Sequence, residues 1–255
     1  MNNIFNFAEN IIEKASNLIF KSYKKIKNIS YKGVSNLVTN VDKEAEALII
    51  KEINSRYPNH SIIAEESGKQ NNNPNYQWFI DPIDGTTNFA HSYPFFCISI
   101  AFAKNGITEF GLIKNPITNE LFTARKNKGA KLNGKAINVS KTNKLKESLL
   151  ITGFPYDKRT SHMNNLKNFC NLTLITHGVR RDGAAALDLC YIASGRADGY
   201  WELKLSPWDV AAGVLILEEA GGKVTDFKGN KYNVFENKIV ATNGFIHKEL
   251  LKHLQ

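Results

Sequence analysis

An α+β unit followed by an α/β unit is the fold this sequence predicts, and three observations predict it. Two amphipathic helical stretches open the chain, short apolar segments joined by Asn, Gly and Pro turns follow, and beyond residue 148 strand-like and helix-like segments alternate. At 255 residues the chain could be one large domain or two small ones. The polar run Lys141-Thr142-Asn143-Lys144 sets the expected division at residues 1–144 and 145–255.

Ile4, Phe7, Ile11, Ile12, Ala15, Leu18, Ile19 and Tyr23 recur at helical spacing, which predicts a first helix running to about Lys25. Leu37-Val38-Thr39 leads into a second, marked by Val41, Ala45, Leu48, Ile49 and Ile53 and stopped at Arg56-Tyr57-Pro58. Ser61 to Ala64 reads as a short strand ending in Glu65-Glu66, followed by Ser67-Gly68 and a polar loop from Asn71 to Asn75. Tyr76 to Asp81 is the next strand, and Pro82 is expected to stop it. Phe95 to Ala103, Ile107 to Ile113 and Leu121 to Arg125 form an antiparallel meander, with a further hairpin from Gly129 to Gly134.

In the second unit, strands are expected at Leu149 to Thr152, Leu172 to Thr176, Ala197 to Glu202, Val224 and Ile239 to Ala241. Helices are expected at Asn164 to Phe169, at Gly183 to Ala193, at Pro207 to Ala220, and, after the last strand, in a closing helix to Leu254.

A net charge of +9, from 33 Lys and Arg against 24 Asp and Glu, attracts anionic substrates and is compatible with nucleic acid. The densest basic cluster, Lys21, Lys24, Lys25, Lys27 and Lys32, has no Arg and little aromatic interleaving, which fits a solvated helix end better than a nucleic-acid patch. Cys97, Cys170 and Cys190 lack Cys-x-x-Cys spacing, which argues against a disulfide framework or structural zinc and fits a reducing cytoplasm. Glu9 and Glu13 precede Lys14, unlike a signal peptide, and the apolar run Phe95 to Ala103 is far short of a bilayer span. A cytoplasmic protein without membrane attachment is expected.

Chemistry concentrates in Trp78-Phe79-Ile80-Asp81-Pro82-Ile83-Asp84-Gly85-Thr86-Thr87-Asn88-Phe89. A buried strand delivers Asp81 to a sheet mouth, and the turn at Pro82 brings the Ile83 carbonyl and Asp84 to the same spot. Gly85 permits close ligand approach, and Thr86-Thr87-Asn88 begins a helical turn suited to an anion. Asp-Pro and Asp-Gly are also common solvated turns, so the stretch alone leaves both readings open. If the strand ending at Glu65 runs beside Tyr76 to Ile80, that acid joins Asp81 and Asp84. Asp42 lies in the first turn of the second helix, where it also favours the helix dipole for local reasons.

Ser206-Pro207-Trp208-Asp209-Val210-Ala211-Ala212-Gly213 has the form of a capped helix start, in which Asp209 satisfies free amides or faces a site. Glu202 at a strand end and Asp182-Gly183-Ala184-Ala185 at a helix opening complete the second half. Acids at strand ends and helix starts in both halves imply a cleft between them.

These blocks, with Glu65-Glu66 and Glu219-Ala220-Gly221-Gly222, resemble the inositol monophosphatase family of magnesium-dependent, lithium-sensitive phosphatases, in order and over nearly the whole chain. The resemblance implies the layered αβαβα sandwich of the inositol monophosphatase and fructose-1,6-bisphosphatase type, usually a homodimer. It implies that Glu65, Asp81, the Ile83 carbonyl, Asp84 and Asp209 bind two or three Mg²⁺. Thr86, helped by Asp42 and Glu66, would orient and activate water, and the amides of Gly85 and Thr86 would hold phosphate. Ala185 and Glu202 fall where the family contacts substrate hydroxyls, and Lys32 matches a basic residue facing the metals and phosphate.

The residue types agree independently, since a hard ion takes oxygen ligands and this set has no His or Cys. Two departures are Asp182 and Ala184, where many bacterial relatives have an uncharged residue and Ser, and Asn36, often Asp. The implied substrate is inositol 1-phosphate or a similar small polyol or sugar phosphate. Fructose 1,6-bisphosphate, histidinol phosphate and a 3′-phosphonucleotide are sister alternatives, for which Arg180 and Arg181 would contact a second phosphate or serve as surface charges. An RNA or transcription-complex binding factor is the alternative of another class.

Overall fold

The computed structural model describes residues 1–23, 29–31 and 37–255, with residues 29–31, 37 and 38 described by their backbone. Lys24, Lys25, Lys27, Lys32 and Asn36 lie outside the described residues.

In chain order the elements are α1 (Asn2–Ser22), β1 (Ile29–Tyr31), β2 (Leu37–Thr39), α2 (Asn40–Arg56), β3 (His60–Ala64), β4 (Gly68–Gln70), β5 (Asn73–Asp84) and α3 (Thr86–Ala90). The meander follows as β6 (Cys97–Lys104), β7 (Ile107–Asn115), β8 (Glu120–Arg125), β9 (Ala130–Leu132) and β10 (Lys135–Ala136). The remainder is β11 (Leu149–Thr152), α4 (Leu166–Thr173), β12 (Gly178–Arg180), α5 (Ala185–Ala193), β13 (Gly199–Leu203), α6 (Pro207–Glu219), β14 (Lys223–Thr225), β15 (Lys238–Thr242) and α7 (His247–Leu251).

An eight-stranded sheet runs β10-β9-β8-β7-β6-β5-β3-β4, and a five-stranded sheet runs β12-β11-β13-β15-β14. Strand alternation assigns each face to a layer. Ile62, Ala64, Trp78 and Ile80 pack with α1 and α2, whereas Ile63 and Phe79 pack with α5 and α6 on the opposite face. The second sheet repeats this: Ile151, Tyr200 and Ile239 face α5 and α6, while Leu150, Trp201 and Val240 face outward toward Leu172 of α4 and Leu250 of α7. The result is the layered αβαβα sandwich, with α5 and α6 between the sheets.

Three local expectations are corrected. Pro82 does not end its strand; Asp81 pairs with Ser99 and Asp84 with Cys97, so Pro82 and Ile83 oppose one residue in a bulge where the missing proline amide is not needed. The polar loop is shorter than Asn71 to Asn75, because β5 already starts at Asn73 opposite His60, and the residues before it form β4, which folds back on β3 with Ile62 opposite Gln70. Leu172 to Thr176 is not a strand: Leu172 is buried within α4, Leu174 and Ile175 are exposed, and the edge strand comes later as β12.

Candidate active site

Parallel pairing of β3 with β5, Ala64 opposite Ile80, brings Glu65 beside Asp81, and the Glu65 amide donates to the Ile80 carbonyl at 3.2 Å. The bulge then turns Asp81 and Asp84 to one side, with the Ile83 amide donating to Asp81 Oδ1 at 3.0 Å. Gly85 follows at φ 91°, and a Cβ there would lie 3.1 Å from the Phe95 carbonyl and 3.2 Å from Ala184 Cβ, so a side chain would be both strained and crowded.

A cleft of about 360 Å³ gathers Glu65, Asp81, Ile83, Asp84, Gly85 and Thr86, from the ends of β3 and β5 and the start of α3, with Ala185, Glu202 and Asp209, from α5, β13 and α6. The halves are tied by direct bonds. The Ala186 amide at the start of α5 donates to Asp84 Oδ2 at 2.6 Å, Asn88 Nδ2 donates to the Asp182 carbonyl at 2.8 Å, and Ser99 Oγ donates to the Trp208 carbonyl at 3.1 Å. Asp209 also does the local work of a cap, accepting from the Ser206 amide at 2.7 Å.

Asp42 and Glu66 are absent from the cleft lining. Asp42 lies fully buried behind Thr86, whose Oγ1 is 3.0 Å from Asp42 Oδ1 and 3.0 Å from the Ile83 carbonyl. The other Asp42 oxygen accepts from the Thr39 amide at 3.0 Å and from its hydroxyl. Glu66 is held through its amide, which donates to Glu46 Oε2 at 2.8 Å.

Burial raises the pKa of every carboxyl group here whose shift is resolved. Asp42 is pushed up to about 6 by burial against the opposing bonds from Thr39 and Thr86, and the Glu66 charge adds to the rise. Burial, the Glu202 and Glu65 charges, and the counteracting Ala186 amide leave Asp84 at about 7. Asp81 and Asp209 are also held well above the carboxylate range, by burial and then by neighbouring carboxylates. Mutual repulsion among buried acids is what a bound cation would relieve.

Sequence reasoning missed several groups. The loop Gly153 to Asp157 lines the cleft, and Gly153 makes room for Glu202, whose Oε1 lies 2.1 Å from where a Cβ would stand. The Tyr200 hydroxyl donates to Glu202 Oε2 at 2.5 Å, and Lys204 Nζ bridges Asp157 at 2.6 Å and Ser161 at 2.8 Å. Gly153-Phe154-Pro155 after a strand was the available signal. Arg181 lines the cleft and, with Lys158, counters the burial that raises Glu202 to about 7; Arg180 is outside the lining.

The sequence profile of the inositol monophosphatase family matches residues 1–255. An inositol-1-monophosphatase of Synechocystis is 48% identical over 239 residues, covering 92% of this chain and 83% of that one. Nus factor SuhB of Escherichia coli is 43% identical over 261 residues, covering 100% of this chain and 97% of the other. Among solved structures, the inositol monophosphatase of Anabaena superposes with a TM-score of 0.91 at 45% identity, over 99% of this chain and 95% of that one. The suhB protein of Bartonella henselae gives 0.94 at 37% identity, over 99% and 98%. With a shared layered fold, a match over its whole length and relatives at this identity, the chain belongs to the inositol monophosphatase family of phosphoric monoester hydrolases.

Proposed function

We propose that the chain is a Mg²⁺-dependent phosphomonoesterase acting on inositol 1-phosphate or a similar small polyol phosphate. The observation that carries this reading is the Asp42–Thr86 pair, 3.0 Å apart, at the edge of a cleft lined by Glu65, Asp81, Asp84 and Asp209. Thr86 Oγ1 has one proton. When Asp42 accepts it, the threonine oxygen is left as an acceptor facing the cleft and can hold the proton of an attacking water. Glu66, whose charge Asp42 senses, would support the same step.

Glu65, Asp81, the Ile83 carbonyl, Asp84 and Asp209 would hold two or three Mg²⁺. Among the described residues no three His, Cys, Asp or Glu side chains form a ready cation cage. An oxygen-only set that leaves coordination positions to water and phosphate nevertheless suits Mg²⁺, which keeps several waters. When bound, the ions would lower the pKa of a water and neutralise phosphate charge. The amides of Gly85 and Thr86 would receive the phosphate, and Glu202 and the Ala185 backbone would meet the polyol hydroxyls. A cytoplasmic homodimer belongs to the same reading.

The test is phosphate release from inositol 1-phosphate, fructose 1,6-bisphosphate, histidinol phosphate and 3′-phosphoadenosine 5′-phosphate, each with Mg²⁺ and with chelator. Release from inositol 1-phosphate well above the others, abolished by chelator, is expected. Faster turnover of another member moves the substrate, and silence on all four sinks the reading. Similarity to proteins named Nus factor SuhB, together with the charge of +9, favours a second role in a transcription complex. Its signature would be RNA binding that weakens steeply with salt.

A further inference from the structure

One buried acid near the cleft has no part in the scheme above. Glu46 of α2 is 2% exposed, and its carboxylate is shared between two successive amides of the turn after β3: Ser67 N–H donates to Oε1 at 2.8 Å and Glu66 N–H to Oε2 at 2.8 Å. The amide just before these, of Glu65, is fixed to the Ile80 carbonyl of β5 at 3.2 Å. Three consecutive amides of a surface turn are therefore pinned, two by α2 and one by the strand that carries Asp81.

Asp42 and Glu46 stand one helical turn apart, on the same face of α2 as the buried Val41, Ala45, Ile49 and Ile53. Two acids at that spacing repel each other, and in a buried face the arrangement persists only where each is fully hydrogen-bonded. Both are. Asp42 spends its bonds on Thr39 and Thr86, and Glu46 spends its bonds on the backbone of Glu65-Glu66-Ser67. A single rigid helix thus holds the water-orienting threonine and the acidic turn in one frame.

We infer that Glu46 is a positioning residue that sets the Glu65 carboxylate for cation binding by clamping the Glu66 and Ser67 amides to α2. The inference rests on the reading of Glu65 as a metal ligand. It predicts that Glu46 acts on metal affinity before it acts on chemistry, because the clamp holds the backbone next to Glu65, while the Asp42–Thr86 pair that carries the water step makes none of its hydrogen bonds to Glu46.

Glu46→Gln puts an amide nitrogen where one backbone N–H needs an acceptor, so the clamp is half undone with little change of volume. Mn²⁺ binding without substrate, by calorimetry, should weaken about tenfold in this variant, the size expected when an outer partner of a ligand is lost. The Mg²⁺ concentration for half-maximal phosphate release should rise in parallel, with a much smaller fall in kcat at saturating Mg²⁺. Ile53→Val, a core change in the same helix, should alter the thermal midpoint and leave Mn²⁺ affinity as in wild type. Wild-type affinity in Glu46→Gln, or equal weakening in Ile53→Val, overturns the inference while the phosphatase reading stands. Wild-type protein that binds no Mn²⁺ overturns both. If Glu46→Gln does not fold, amide exchange of the wild type decides: saturating Mg²⁺ should slow exchange at Glu66 and Ser67, since the coupling is reciprocal, and unchanged exchange there rejects it.

Discussion

On the wall built from β5, α2 and α3, Asp42, Asp81 and Asp84 each have a main-chain anchor. Asp81 accepts from the Ile83 amide, Asp42 from the Thr39 amide, and Asp84 from the α5 amide of Ala186. On the wall built from β11, β13 and the loops after them, side chains hold side chains: Glu202 leans on the Tyr200 hydroxyl, and Lys204 bridges Asp157 and Ser161. Asp209, fixed by the Ser206 amide, is the part of the second wall built like the first. Main-chain anchors cannot change rotamer, so the first wall suits charges whose spacing must not vary. Rotatable anchors suit contacts that differ from one polyol to another. The first wall should therefore govern turnover, and the second should govern which substrate is turned over.

The largest effect should come from Asp84→Asn, which removes a charge shared by the proposed ions. Turnover should fall by about a thousandfold or more, equivalent to about 4 kcal/mol or more of barrier. The fold should survive, because the asparagine oxygen still accepts from Ala186. In chelator its thermal midpoint should even rise, since Asp84 is one of the charges that push Asp81 upward. Near-normal phosphate release from this variant would remove Asp84 from the first wall's chemistry.

Thr86→Ala comes next. It should lower kcat by about a hundredfold, within the range for a positioned proton acceptor, with Mg²⁺ affinity nearly unchanged because the carboxylates proposed to hold the ions keep their anchors. Equal losses in both would mean that Thr86 holds the ions rather than the water.

The first wall was the more legible in the sequence, for a physical reason. Asp81, Ile83, Asp84, Gly85 and Thr86 sit within six residues, so one strand end and one turn deliver them together, and Asp209 was visible as a helix start. Even there, Pro82 was misread as a stop, because a bulge that dispenses with the proline amide leaves no mark in hydrophobic pattern. Glu46 escaped notice because its importance lies in two amides 20 and 21 residues away. The second wall is assembled from Gly153 and Glu202, separated along the chain and joined by β11 lying parallel to β13, a pairing that periodicity does not encode. Periodicity showed the α+β and α/β character of the two parts, and the resemblance to the family supplied the layered arrangement, whereas the alternating stretch Leu172 to Thr176, which overlaps the last two residues of α4, read as a strand.

Gly153→Ala sharpens the comparison at lower cost to the enzyme. Its Cβ would lie 2.1 Å from Glu202 Oε1 and 2.2 Å from Cδ, so the carboxylate must leave the Tyr200 hydroxyl. KM for the preferred polyol phosphate should rise by about tenfold, the equivalent of one net hydrogen bond, with kcat less affected. A fall in kcat at constant KM would put Glu202 with the chemistry and erase the distinction between the walls.

The smallest effect on turnover should come from His247, which lies outside the cleft lining, buried between the hydroxyls of Thr225 and Thr242 at 2.9 Å from each. Burial, and then the Lys223 charge, lower its pKa to about 4, so the fold keeps the ring neutral where an unfolded chain takes up a proton near pH 6.5. The unfolded state then binds more protons between those values, and stability from this group, complete above about pH 6.5, is lost as pH falls toward 4. His247→Gln should release phosphate like the wild type at pH 7.5, yet its urea midpoint should fall less between pH 7 and pH 5. Identical pH dependence would mean that another group governs the acid transition. A difference confined to stability would give the measure of what mere loosening of the second sheet does, against which kinetic changes at Gly153 and Glu202 can be read as recognition.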